Sequence, residues 1–240
     1  MLFRSGNLQK LQRFSLSNNR LSGRLPITLE NLSLLNELSL NNNKLQGTIP
    51  SSIEKCQNLL LLNLSQNNLT GIIPRQLFAI STLTIGLYLA QNFFVGSLPF
   101  EVGNLVNLGL LDLSENKLSG KIPSSLGSCT SLEYLYVEGN LFQGEIPISL
   151  SSLRGIQVMD LSHNNFSSQI PNFLENLSLK NLNLSFNDFQ GEVPTKGVFA
   201  NASAISLIGN SRVCGGIYIR TKVAEVLNKR REENKVAFCS

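Results

Sequence analysis

The sequence predicts an α/β-type repeat solenoid with parallel strands lining a concave face. Three observations predict it. One phrase recurs along the chain, as LSLNNNKLQGTIP at 38–50, LNLSQNNLTGIIP at 62–74, LDLSENKLSGKIP at 111–123 and LNLSFNDFQGEVP at 182–194. Aligned on one asparagine (Asn19, Asn43, Asn67, Asn92, Asn116, Asn140, Asn164, Asn187), the eight copies step by 24, 24, 25, 24, 24, 24 and 23 residues. Within each copy, leucines alternate with variable residues, as in Leu38-x-Leu40 and Leu111-x-Leu113. Such a period of two belongs to a strand with one face turned inward.

The frame reads L-x-x-L-x-L-x-x-N-x-L-x-G-x-I/L-P, and each position has a physical task. The alternating leucines form a short strand. The asparagine turns the chain and satisfies backbone groups that a tight buried turn would leave unpaired. The glycine, from Gly23 to Gly191, permits a backbone turn that other residues resist. The proline, from Pro26 to Pro194, opens the next segment with φ fixed. One copy cannot bury its leucines alone, so neighbours stack and bury them together, with strands about 4.8 Å apart. Three departures stand out: Ser168 replaces the glycine in copy seven, copy four is one residue longer, and copy eight is one residue shorter before Leu179. Cys56 and Cys129 occupy positions held by Leu32 and Leu105 in other copies, so they read as core thiols rather than redox or metal groups.

Composition narrows the function. The 240 residues are 42% hydrophobic and only 15% charged, which supplies a core and excludes a disordered chain. Of the net charge of +4, residues 1–216 carry +1 and residues 217–240 carry +3, so no basic face on the body points to nucleic acid. Apolar runs such as Leu59–Leu62 fall far short of the roughly 20 residues a membrane helix needs. The opening MLFRSGNLQK has no apolar leader core, and GNLQK at 6–10 reads as the rear half of a preceding copy. The array is therefore expected to begin with its front end open.

LSGKIP at 118–123, with LTGIIP and LQGTIP, resembles the plant-type leucine-rich repeat, whose convex side is mostly irregular or 3-10. GEVPTKGVFANASAISLIGNSRVCGG at 191–216 resembles the closing segment of plant leucine-rich-repeat receptor-like kinases of the immune-type subfamily XII. The resemblance implies a solenoid over 1–194, a C-terminal cap over 195–216 and, outside the pattern, a basic tail over 217–240 that is disordered or at most weakly helical. It implies an ectodomain at the outer side of the plasma membrane, binding a peptide or protein in pathogen or peptide perception, often with a leucine-rich-repeat kinase co-receptor. Cys214 matches the family's capping cysteine, and Cys239 is the candidate partner for a disulfide in an oxidising compartment. Seven N-x-[ST] sequons, at Asn31, Asn63, Asn68, Asn165, Asn176, Asn183 and Asn201, become glycosylation candidates, although an Asn- and Ser-rich frame writes sequons by composition alone.

The leucines specify the fold, so the residues between them must specify the partner. The column between the two strand leucines reads Ser15, Ser39, Asn63, Tyr88, Asp112, Tyr136, Asp160, Asn183. Flanking columns add Tyr134 before it and Glu115, Glu138 and His163 beyond it. Tyrosines give large contact area at low entropic cost. This aromatic and acidic group suits a peptide with basic groups; the alternative is an ordinary polar concave face whose partner binds elsewhere. Glycans on Asn63 and Asn183 would mask the ends of the column and leave its centre open.

An enzymatic reading fares poorly. Asp112 and Asp160 lie two strands apart, about 10 Å, near the upper limit for an inverting carboxylate pair. His163 lies close to Asp160 and Ser162 in sequence. No nucleophile, metal or phosphate motif accompanies them, no cofactor is implied, and a flat sheet face offers no pocket to exclude water. The expected role is a peptide- or protein-binding ectodomain segment of a receptor-like kinase. The alternatives are a free-standing secreted inhibitor like the polygalacturonase-inhibiting proteins, and a truncated decoy without a kinase.

Overall fold

Each copy of the repeat closes one coil, and the asparagine fastens each coil to the one before it. In the computed structural model, which describes residues 10–215, Asn67 is buried. Its Nδ2 donates to Leu40 O of the preceding coil (3.0 Å) and to Leu64 O of its own (3.1 Å), and its Oδ1 accepts from Leu45 N (3.0 Å). Asn43, Asn92, Asn116, Asn140, Asn164 and Asn187 repeat this pattern. A side-chain amide thus pairs backbone groups that the turn strips of partners and of water.

The leucine alternation forms the expected concave sheet. Its nine parallel strands run in sequence order: Arg13–Ser15, Glu37–Ser39, Leu61–Asn63, Gly86–Tyr88, Leu110–Asp112, Tyr134–Tyr136, Val158–Asp160, Asn181–Asn183 and Ile205–Ser206. Successive strands pair in register, so Asn63, Tyr88, Asp112, Tyr136, Asp160 and Asn183 form one column. A second nine-stranded parallel sheet runs beside it, from Ser22–Arg24 and Lys44–Gly47 to Asp188–Glu192 and Arg212–Cys214. The period-two pattern does not mark this sheet, because the frame glycine lies in its strands with φ between 80° and 89°, as at Gly23, Gly47 and Gly144. The glycine is a strand residue in a left-handed conformation as well as a turn former.

The convex side is made of short 3-10 segments. From Ile27–Asn31 to Asn172–Asn176, each follows a frame proline whose φ lies between −61° and −73°. The core fills the coil between these three faces. In one coil, Leu59, Leu62, Leu64, Leu69, Ile73, Leu77 and Ile80 are all buried. Cys56 and Cys129 are free, buried thiols that donate to Leu29 O (3.4 Å) and Val102 O (3.2 Å), as expected of core positions. Phe142, Phe166 and Phe189 stack along the array with centroids 6.3 Å apart.

The irregular copies are absorbed locally. In copy four the extra residue is taken up before the strand: Leu60 O accepts from both Thr84 N and Ile85 N, Ile85 turns outward, and Gly86 enters the register opposite Leu61. In copy eight the missing residue is absorbed at Leu177, whose ψ is 154°, whereas the matching residues of the six preceding 3-10 segments have ψ of 54–75°. Ser168 adopts φ 74° in place of the missing glycine.

The segment 195–215 continues both sheets. Ile205–Ser206 pairs with Leu182 and Asn183, and Arg212–Cys214 pairs with residues 190–192. Asn210 is a ninth rung, donating to Leu184 O (2.9 Å) and accepting from Phe189 N (3.1 Å). Its spacing of 23 from Asn187, with Leu207 three residues before it, carries the same signal as the other rungs. The expected tail over 217–240 and the Cys214–Cys239 pairing involve residues outside the described segment.

Candidate functional site: the tyrosine and carboxylate column of the concave face

The strand pleat turns one residue in two outward, and the inward leucines fix which one. In Tyr134–Tyr136, Leu135 is fully buried while both tyrosines are half-buried on the open face. Register then places Tyr136 between Asp112 and Asp160, and Asp112 between Tyr88 and Tyr136. Four of the eight expected site residues therefore share one column, with Tyr134 on the same face.

The two aspartates are oriented by their own turns. Asp112 Oδ1 accepts from Ser114 N (3.1 Å) and Ser114 Oγ (2.7 Å). Asp160 Oδ1 accepts from Ser162 N (2.9 Å) and Ser162 Oγ (2.6 Å). The same bonds recur at Asn183 with Ser185, so the arrangement is a property of the frame. The two acids differ at the second oxygen. Asp160 Oδ2 accepts from Asn183 Nδ2 (2.9 Å), whereas Asp112 Oδ2 accepts no hydrogen bond among the described residues.

Glu115, Glu138 and His163 lie on the turn beyond the strands. Each residue before a ladder asparagine has a positive φ, including Glu115 (51°), Gly139 (65°) and His163 (51°). Glu115 folds over Gly139, where a Cβ would stand 2.5 Å from its Oε1. Glu138 Oε2 is buried without a hydrogen-bond partner. The His163 ring stacks on Phe186, centroids 4.3 Å apart. Sequence reasoning missed Gly86, Gly139, Ser114 and Ser162 as residues that set the positions of the others.

The electrostatics follow from crowding and partial burial. Burial pushes Glu138 up to about 7; its own backbone amide opposes this, and the charges of Asp160, Asp112 and Glu115 reinforce it. Burial also raises Asp112, against the hydrogen bonds from Ser114. Tyr88 is raised by burial and then by Asp112. Tyr136 is raised by burial and then by Asp112, Glu138, Tyr134 and Asp160. From residue 86 to 91, 110 to 115, 134 to 139 and 158 to 163 the face carries Asp112, Glu115, Glu138 and Asp160 and no lysine or arginine. At the front end the charge is balanced, with Arg13 paired to Glu37 at 3.1 Å. No group of three or more potential metal ligands occurs among the described residues.

The sequons divide by geometry. Asn31, Asn68, Asn165, Asn176 and Asn201 are exposed. Asn63 is half-buried, with Oδ1 accepting from Ser65 N (3.1 Å). Asn183 is engaged on both sides of its amide, donating to Asp160 Oδ2 and to Ser162 Oγ (3.2 Å) while accepting from Ser185.

A coil closed by an asparagine rung and stacked in parallel register defines a leucine-rich-repeat protein. The family model described as Leucine Rich Repeat matches residues 10–32, 34–56, 58–79, 107–129, 131–153, 155–177 and 178–196, and the chain belongs to that family. The gap at 80–106 contains the lengthened copy. Among solved structures, the ectodomain of the Arabidopsis thaliana membrane receptor kinase GASSHO1/SCHENGEN3, in complex with CASPARIAN STRIP INTEGRITY FACTOR 2, is similar at TM-score 0.84 and 36% identity, over 88% of this chain and 25% of that one. The Arabidopsis receptor kinase HAESA, in complex with the peptide hormone IDA and the co-receptor SERK1, is similar at TM-score 0.83 and 37% identity, over 90% of this chain and 36% of that one. A curated Arabidopsis thaliana relative, a probable LRR receptor-like serine/threonine-protein kinase, is 54% identical over 39 residues, 16% of this chain and 4% of its own length. The chain thus spans a minor part of each. Among the described residues, no helix is long and apolar enough to cross a membrane.

Proposed function

We propose that this chain is part of the ectodomain of a plant receptor-like kinase of the immune-type subfamily XII, and that its concave face binds a peptide or protein ligand outside the plasma membrane. The observation that carries the reading is the in-register column Tyr88–Asp112–Tyr136–Asp160, a contiguous aromatic and acidic surface on rigid strands. Rigid tyrosines lose little entropy on binding, and strands fix their spacing without ordering a loop. The likeness to a receptor kinase solved with a peptide hormone and a co-receptor supports a peptide as the class of ligand and a kinase co-receptor as a second partner. The closing segment GEVPTKGVFANASAISLIGNSRVCGG supports the subfamily, and with it a role in pathogen or peptide perception. The exposed sequons support a glycosylated protein.

The test has two arms. An antibody against the repeats, applied to membrane and extracellular fractions of the source tissue, is expected to find a membrane-bound polypeptide several times larger than 26.4 kDa. A soluble band near that mass as the sole product would overturn the receptor reading. For the concave face, peptides selected from a displayed random library on the 1–240 protein should lose at least tenfold in affinity with Tyr136→Ala plus Asp160→Ala; unchanged affinity rejects the face.

A further inference from the structure

Resting on the concave-face reading, we infer that Asp112, flanked by Tyr88 and Tyr136, is the seat for one cationic side chain of the ligand, a guanidinium by preference. Asp112 and Asp160 share the same Ser-anchored turn, so sequence alone makes them equivalent. The structure separates them. Asp160 spends its second oxygen on Asn183, which stands in register one strand further on. The residue in that place relative to Asp112 is Tyr136, and Asp112 Oδ2 receives no hydrogen bond among the described residues. It is a half-buried carboxylate held at one oxygen and open at the other.

Its neighbours suit a planar cation. Tyr88 and Tyr136 stand one strand to either side, so about 10 Å separates their backbones and Asp112 lies between two aromatic residues. Guanidinium stacks on aromatic faces and is more weakly hydrated than ammonium, so it loses less on entering a half-buried site. Asp112, Glu115, Glu138 and Asp160 place negative potential around the seat with no cation of the protein's own among the concave residues of copies four to seven. Those same groups disfavour an anionic occupant.

The frame itself supplies a conservative probe. Asn63 and Asn183 hold the same column position with the same bond to the serine two residues on, so Asp112→Asn fits the turn with its accepting oxygen retained. The experiment starts from peptides selected from a displayed random twelve-residue library on the 1–240 protein. Binding is read by intrinsic tyrosine fluorescence, since the chain has four tyrosines and no tryptophan and three of the four line this face. Selected peptides are expected to carry an arginine whose replacement by citrulline, its neutral isostere, weakens binding at least tenfold. Asp112→Asn should weaken the arginine peptide at least tenfold and leave the citrulline peptide unchanged; Asp160→Asn should weaken the arginine peptide less than threefold. Both variants write an N-L-S sequence, so every protein is produced in bacteria without N-glycans, and thermal melts confirm the fold. Peptides lost with Tyr136→Ala plus Asp160→Ala but indifferent to citrulline or to Asp112→Asn would overturn the seat and leave the concave-face reading standing. A library without binders, or binders indifferent to every concave substitution, would overturn both.

Discussion

The ring of Tyr88 lies over Gly86, so closely that a Cβ on Gly86 would overlap ring carbon Cε2 and stand 3.0 Å from Cζ. Gly86 stands six residues before Asn92, where Leu61 stands before Asn67 and Leu110 before Asn116, so it occupies the first strand position of its copy. A glycine at that position therefore admits the pose of the tyrosine that flanks Asp112. Gly86→Val should push the ring off the strand while leaving the coil intact, because Gly86 is not in a left-handed conformation and the clash falls on the far end of a movable side chain. The expected result is a loss of roughly tenfold in affinity for a basic peptide, about 1.4 kcal/mol, with little change in urea midpoint. Equal affinity in wild type and variant would show that the ring pose does not matter.

Asn140 joins the backbones of two successive coils through one amide. Its Nδ2 donates to Leu113 O (2.9 Å) and Val137 O (3.1 Å), and its Oδ1 accepts from Leu118 N (2.9 Å). Alanine at 140 would leave the buried Leu118 N–H without its partner and remove one of the two side-chain donors to each of Leu113 O and Val137 O, at about 2 kcal/mol. Asn165, exposed on the second sheet, gives the control, where alanine should change stability by less than about 0.5 kcal/mol. Urea unfolding of the two variants checks the contrast, and equal midpoints would refute the role given to the rung.

Ser168 holds φ 74° where Gly144 and Gly191 hold 82° and 81°. A side chain in that region is strained by about 1 kcal/mol or more, while glycine brings an entropic cost of its own. Ser168→Gly should therefore stabilise the protein by roughly 0.5–1 kcal/mol net, and Ser168→Ala should not. A destabilised glycine variant would mean that the Ser168 side chain contributes more than its strain removes.

The concave sheet was legible because a strand with one buried face writes its pattern in every second residue, as Leu38, Leu40, Leu111 and Leu113 do. The second sheet was not, because Gly47 and its counterparts carry a left-handed φ inside a strand, and no alternation of side chains signals a backbone sign. The site was half legible. Column membership of Tyr88, Asp112, Tyr136 and Asp160 follows from spacing alone. The difference between Asp112 and Asp160 does not, because it depends on what stands one strand away, Tyr136 in one case and Asn183 in the other. The stacking of His163 on Phe186 is not legible either, because it depends on the residue one coil further on. Asn210 is legible by its spacing from Asn187 and by Leu207 three residues before it.

Glu138 ties stability and binding to pH with opposite signs. Its carboxyl is raised from 4.5 to about 7, chiefly by burial, with Asp160, Asp112 and Glu115 adding to the rise, and its Oε2 has no partner. The folded protein therefore holds a proton that the unfolded chain gives up at lower pH. The stability this contributes is fully present below about 4.5 and is lost as pH rises through about 7. Over the same window the carboxylate becomes charged, so a cationic ligand beside Asp112 should bind more tightly. Urea midpoints and peptide affinities measured from pH 5 to 8, each taken as the difference between wild type and Glu138→Gln, isolate the contribution of this carboxyl. Wild type should lose stability relative to the variant as pH rises and gain affinity for a basic peptide relative to it. A difference that stays flat across the window in both measurements would place the Glu138 carboxyl in its ordinary range and remove it from the site's electrostatics.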